Sequence, residues 1–209
     1  CLVFGLVRDA SSVWGFRAEI ADAGQSGRVI VDVWDGTCIP LVTGTVNVLI
    51  ANETDTTDEM RRVVAPRGLI ATPAFEKILE KPWTKGIDEW THYLYDPSNN
   101  AVAKDERIAP PRRVRWTAGP LWTRHHDRMA SISSVVSAGG RLFYIMDEGP
   151  TESIQLPSRW RLVARDAFNG VLLWKRQVAS WNTRQWPEHS LDNAVGAVVG
   201  GLPGMWTEL

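Results

Sequence analysis

The chain has 209 residues, with 23 Lys+Arg against 24 Asp+Glu, a net charge of -1 at neutral pH and 44% hydrophobic residues. Its mean hydropathy is -0.17. That composition fits a globular chain of one large or two small domains rather than a disordered one, and the balanced charge provides no global field to draw it to nucleic acid or an anionic membrane.

A short apolar run opens the chain, and from Ser11 to Ala23 the residues Val13, Phe16 and Ile20 recur at helical spacing before Gly24 supplies a stop. Strand then helix is expected. The β-branched run Arg28 to Val33 and a second run, Thr45 to Ala51, are the next strands, with Trp34-Asp35-Gly36 as a turn between them. Asp58 to Ala65 predicts a short helix closed by Pro66, and Gly68 to Ala71 a further strand. The alternation predicts a parallel α/β layer with all these strands in one sheet.

From Thr72 to Lys85 the pattern weakens into a connector. Beyond it the texture changes to short strand-like runs separated by turn signals: Val114 to Thr117, Ser131 to Ser137, Arg141 to Ile145, Arg161 to Ala164, and Gly170 to Lys175. Short strands at such spacing predict an all-β barrel, sandwich or propeller. The fold class is therefore α/β followed by all-β. Of 11 tryptophans, Trp14 and Trp34 lie in the first part and the rest run from Trp83 to Trp206, a compositional shift that also marks two domains.

Chemistry-bearing clusters are sparse. Cys1 and Cys38 make neither a disulfide framework nor a zinc spacing. Arg112, Arg113, Arg115, Arg124 and Arg128 form a basic stretch broken by apolar residues and Asp127, so no nucleic-acid partner is expected. No apolar run reaches the length of a transmembrane helix. His125-His126-Asp127 with Glu89 and His92 could be drawn as a metal site, but adjacent strand histidines point to opposite faces, and hydrogen-bonded loop residues are the expectation. No G-x-S-x-G elbow is present, so no acyl-transfer triad is expected; Asp147-Glu148-Gly149-Pro150 reads as a hairpin tip. The tryptophans are expected to pack between sheets rather than to form a stacking platform for a ligand.

Three strings in the first part carry a family resemblance: Val29-Ile-Val-Asp-Val-Trp-Asp-Gly-Thr-Cys-Ile-Pro40, Val46-Asn-Val-Leu-Ile-Ala-Asn52 and Glu59-Met-Arg-Arg-Val-Val-Ala-Pro-Arg-Gly68. They resemble the third strand, the fourth strand and the "E-x-x-R-V-L-x-P-G-G" segment of class I S-adenosylmethionine-dependent methyltransferases. The resemblance implies a partial Rossmann-type lobe over 1-71 whose first strand and glycine-rich cofactor loop would precede Cys1. It also implies an adenine contact for Asp35. The carboxylate expected for the ribose falls at Val7, with Asp9 two residues late.

Ala164-Arg-Asp-Ala-Phe-Asn-Gly-Val-Leu-Leu-Trp174 matches "A-x-D-x-x-T-G-x-x-x-W", the repeat of pyrroloquinoline-quinone-type propellers, with Asn169 in the Thr position. Ala164, Asp166, Gly170 and Trp174 are its signature residues: Asp166 bonds a turn, Gly170 permits positive φ, and Trp174 would dock between blades. Glu89-Trp-Thr-His-Tyr-Leu-Tyr-Asp-Pro-Ser-Asn-Asn100 is similar to the segment that leads into such propellers, and Pro110 to Trp116 would be the first blade strand. The whole resembles large bacterial multidomain proteins fusing the two, and the chain is expected to be an internal fragment: lobe 1-71, linker 72-85, propeller start 86-178 and an unassigned tail 179-209.

The function expected from this is a scaffold or interaction protein, partnered by other proteins or the rest of its own chain, with no complete active site. A pyrroloquinoline-quinone-dependent oxidoreductase and an S-adenosylmethionine-dependent methyltransferase are the rival readings; each cofactor requires parts that lie outside this chain. The propeller resemblance implies an extracytoplasmic or periplasmic location.

Overall fold

The computed structural model describes residues 2–52, 57–107, 114–119, 132–152 and 156–178. The chain divides into two compact units, Cys1–Trp83 and Thr84–Leu209.

The first unit is mixed α/β. Strand β1 (Val3–Val7) leads through helix α1 (Ala10–Asp22) into β2 (Val29–Val33), and the two strands pair in parallel from Val3↔Val29 to Val7↔Val33. Asp9 starts the helix as its N-cap, accepting from the backbone N–H of Ser11. At the other end Gly24 adopts φ +65° and donates to the Ala21 carbonyl, which closes the helix as its sequence position predicts. The helix lies along β2. Val13 is buried, and the Arg17 guanidinium donates twice to the Val31 carbonyl, at 3.0 and 3.1 Å, which satisfies a strand oxygen that would otherwise face water.

Strand β3 (Val46–Ile50), helix α2 (Asp58–Val63), β4 (Val64–Ala71) and β5 (Ile78–Glu80) complete this unit. β3 and β4 are parallel, and β5 adds antiparallel to β4. Three expectations are corrected here. The strands form two ladders, β1-β2 and β3-β4-β5, rather than one sheet. Leu6 and Trp34 nevertheless pack against the buried cluster of Ile39, Met60, Val63, Val64 and Ile70, so the two ladders share a core without sharing hydrogen bonds. Helix α2 ends at Val63 rather than running to Ala65, because the β-branched Val64 turns extended (φ -71°, ψ 135°). Part of the expected connector is strand β5.

Strand β4 kinks early in its length. Its register with β3 jumps between Val46↔Val64 and Val48↔Leu69, and the residues looped out between are Ala65 to Gly68. Arg67 takes φ +63° there, with its guanidinium over the Trp83 ring at 5.2 Å. A Cβ on Gly68 would fall 2.7 Å from Val64 Cγ1 and 2.9 Å from the carbonyls of both Ala65 and Val46, so only glycine fits the kink.

The second unit contains one antiparallel sheet of four strands in sequential order: β6 (Ile132–Ala138), β7 (Arg141–Asp147), β8 (Trp160–Asp166) and β9 (Leu172–Gln177). Gly139 and Gly140, both at positive φ, make the β6–β7 turn. The segment before the sheet is a loop held by its own polar groups. Asp88 accepts from the Tyr95 hydroxyl at 2.5 Å and from the Lys104 amide at 2.6 Å, and the Trp90 and Tyr95 rings meet edge to face at 5.5 Å. This lead-in segment lies along β6: the Ser137 amide donates to the Trp90 carbonyl at 2.7 Å, and the Trp90 amide to Ser137 Oγ at 2.9 Å. A further correction concerns Val114 to Thr117, expected as a strand; the described residues 114–119 form none, and Trp116 instead serves the β8–β9 turn.

Candidate functional site

Because Val7 pairs with Val33 in a parallel ladder, Arg8 and Asp9 leave β1 at the same end of the sheet where Trp34 and Asp35 leave β2. Crevices outside the carboxyl ends of parallel strands are where open α/β sheets bind ligands. The structure thus brings both sequence-selected carboxylates to one end of one ladder. The Arg8 guanidinium at this end is 5.3 Å from the Trp34 ring centroid, and Gly36, at φ +91°, leaves room for it where a Cβ would collide with the guanidinium.

Local bonds occupy both carboxylates. Asp9 accepts from the Ser11 amide at 3.0 Å and from the hydroxyls of Ser11 and Ser12, each at 2.6 Å. The Ser11 hydroxyl above all, then that of Ser12, lowers its pKa to about 2. Asp35 accepts from the Thr37 hydroxyl at 2.7 Å and its amide at 2.8 Å, and the hydroxyl first holds its carboxyl below the usual range. Both acceptor oxygens of Asp9 are engaged in the helix cap, which leaves it poorly suited to chelate a diol; Asp35 turns one oxygen inward to its own turn.

Behind this end stands a staple that the sequence did not announce. Arg62 donates to Glu59, to the carbonyls of Ile39 (2.8 Å) and Leu41 (3.0 Å) and to Thr43 Oγ1 (3.1 Å), while Glu59 accepts from the Ile39 amide at 2.7 Å. One helical ion pair thereby fixes the loop after β2. Arg62 is the leading cause that brings the Glu59 pKa down to about 2. The neighbouring Glu59 pushes the exposed Cys38 thiol up, away from the thiolate form that would make it reactive.

In the second unit Ala164 to Trp174 form the β8–β9 hairpin. Asp166 Oδ1 accepts from the amides of Phe168 (2.8 Å) and Asn169 (3.2 Å), and Asn169 Oδ1 accepts from the Val171 amide at 3.0 Å. Gly170 is buried at φ +72°, and a Cβ there would lie 3.0 Å or less from three atoms of the Trp116 ring. The Trp116 indole N–H donates to the Ala167 carbonyl at 3.0 Å, so the ring is pinned over the turn. Ala164 is fully buried between Phe143 and Trp174, its partners in the ladder, whose rings approach to 6.0 Å across it. The small side chain is what lets them meet. Trp174 keeps 37% of its surface exposed, with Arg176 stacked at 5.3 Å.

Arg165, between Ala164 and Asp166, is buried and donates to Tyr144 Oη (2.8 Å), the Gly170 carbonyl (2.8 Å) and the Gly119 carbonyl (3.1 Å). It ties the turn to β7. Asp147 is buried and accepts from the amides of Gly149 and Arg159, whereas Glu148 pairs with Lys175; the two adjacent carboxylates serve different partners. Glu89 accepts from the Gly139 amide at 2.6 Å, and His92 Nδ1 meets Thr91 Oγ1 at 2.9 Å. His125, His126, Asp127 and the arginines at 112, 113, 124 and 128 lie outside the described residues. Among the described residues no three His, Cys, Asp or Glu side chains gather as a metal site, and no helix is long and apolar enough to cross a membrane. An open hollow of about 280 Å³ beside β6, lined by Trp90, Val135, Val136, Ser137 and Leu142, has an apolar wall without converging polar groups.

No protein-family model matches the chain, and no curated protein matches it.

Proposed function

We propose that this protein is a scaffold or interaction protein of the quinoprotein-like β-propeller type, carrying a methyltransferase-like lobe without a complete active site. The observation that carries the reading is the β8–β9 turn, in which Asp166, Gly170 and the Trp116 ring interlock as a structural unit. Ala164, Asp166, Gly170 and Trp174 each have a packing or turn-forming reason. A four-stranded antiparallel meander has the make-up of one propeller blade. The parallel β1-α1-β2 unit, with Asp35 at its carboxyl end, supports the methyltransferase-like reading of the lobe.

The local engagement of Asp9 and Asp35 favours the scaffold over S-adenosylmethionine chemistry. Holding a quinone cofactor with Ca²⁺ requires six to eight converging oxygen ligands. Asp147, Asp166 and Asp88 instead bind backbone amides of their own turns and loops. By the same resemblance the protein would work outside the cytoplasm, with other proteins or the remainder of a longer chain as partners. Calorimetric titration with S-adenosylmethionine, and separately with pyrroloquinoline quinone plus Ca²⁺, is expected to yield no saturable heat. Saturable micromolar binding of either would overturn the scaffold assignment.

A further inference from the structure

Asn169 and Gly170 form the one Asn–Gly bond in the sequence, and it sits inside the β8–β9 turn. Such a bond is chemically labile, because glycine has no side chain to keep its backbone nitrogen from the preceding amide carbon. Gly170 N, on losing its proton, can bond to Asn169 Cγ. The side-chain nitrogen then leaves as ammonia and a five-membered succinimide remains. Water opens that ring at either carbonyl, giving aspartate or isoaspartate. One water is consumed, one ammonia is released, and no electrons change hands.

Three features of the folded turn oppose the first step. The Gly170 N–H donates to the Asp166 carbonyl at 2.9 Å, so the nucleophile's proton is already held. The Asn169 side chain is fixed by the Val171 amide at 3.0 Å. Gly170 is buried against the Trp116 ring, which closes the nitrogen off from water and base. Bond formation needs the side chain to swing onto Gly170 N while that nitrogen leaves its acceptor, and the ring permits neither movement without opening the turn.

We infer that Asn169 is a conformationally gated modification site, inert while the β8–β9 turn is closed and deamidating once the turn opens. The gate has a direction. Isoaspartate routes the main chain through Cβ and adds a methylene between residue 169 and Gly170, so the Gly170 amide can no longer meet the Asp166 carbonyl, nor the Val171 amide its acceptor on residue 169, in their former places. Either product also adds one negative charge to a chain whose net charge is -1. An opening that lasts long enough for the reaction is therefore recorded as a covalent change at residue 169.

The test is to hold the purified chain in mildly alkaline buffer, folded and in concentrated urea, and follow the peptide spanning Asp166 to Trp174 by mass spectrometry with isoaspartate detection. Conversion in the folded chain is expected to be at least about tenfold slower than in urea, the protection of a local opening that costs about 1.4 kcal/mol. Trp116→Ala, checked by circular dichroism for a retained sheet, is expected to convert faster than the parent in native buffer. Asp166→Ala provides a second route to a loosened turn with the same expectation. Equal rates for folded and denatured parent chain, or no acceleration in either folded variant, would overturn the inference.

Discussion

Replacing Gly170 by alanine perturbs the second unit at one place by two separable causes. At φ +72° any L side chain is strained, which costs about 1–2 kcal/mol. The new methyl would also press on the Trp116 ring, and overpacking of this kind costs about 1–3 kcal/mol. Gly170→Ala is therefore expected to lose about 2–5 kcal/mol in urea unfolding followed by circular dichroism of the sheet. Trp116→Ala removes the ring but leaves φ unchanged, so in that background the same substitution should cost only about 1–2 kcal/mol. The coupling energy of the double-mutant cycle, about 1–3 kcal/mol, isolates the contact. An equal cost of Gly170→Ala with and without the ring would refute the claim that Trp116 seats on this glycine.

Gly68→Ala is expected to destabilise the first unit by about 3 kcal/mol, because two of the three atoms its Cβ would meet are main-chain oxygens that cannot swing aside; a loss below about 1 kcal/mol in thermal unfolding would show that the kink is plastic. The carboxylates predict acid sensitivity with a defined sign. Glu59 and Asp9 both have folded pKa values of about 2, below their ordinary 4.5 and 3.8, so the stability they contribute is fully present above those ordinary values and is lost as pH falls toward about 2. Glu59→Gln should lower stability at neutral pH and flatten the acid limb of a stability-versus-pH series, and an unchanged limb would contradict the staple.

The order of elements was legible in the chain because it rests on local signals. β-branched runs marked β2, β3 and β6, glycine marked the end of α1, and the Asp-x-x-x-Gly pattern marked the β8–β9 turn. Which strands share a ladder was not legible, since pairing depends on edges that no window of sequence contains; the division into β1-β2 and β3-β4-β5 emerged only from the structure. The role of Asp9 was within reach. An aspartate followed at once by helix-forming residues and two serines is an N-cap signal, and the structure engages both of its oxygens in that cap. Trp116 was out of reach, because its polar partner Ala167 lies 51 residues further on and its own neighbourhood looked like a strand. The Arg62 staple likewise joins residues more than 20 positions apart, and an arginine on a short helix announces nothing about which carbonyls it will collect.

The lead-in segment along β6 has a consequence for how this sheet can be extended. With Trp90 lying on Ser137 at one margin, backbone groups there already have company, whereas all six residues of β9 at the opposite margin are exposed. Among the described residues the sheet is thus asymmetric: the lead-in segment occupies β6 at Ser137, whereas β9 keeps its residues exposed from Leu172 to Gln177. An exposed strand margin of this kind is where β-sheets ordinarily accept a further strand, and an occupied margin is where they do not.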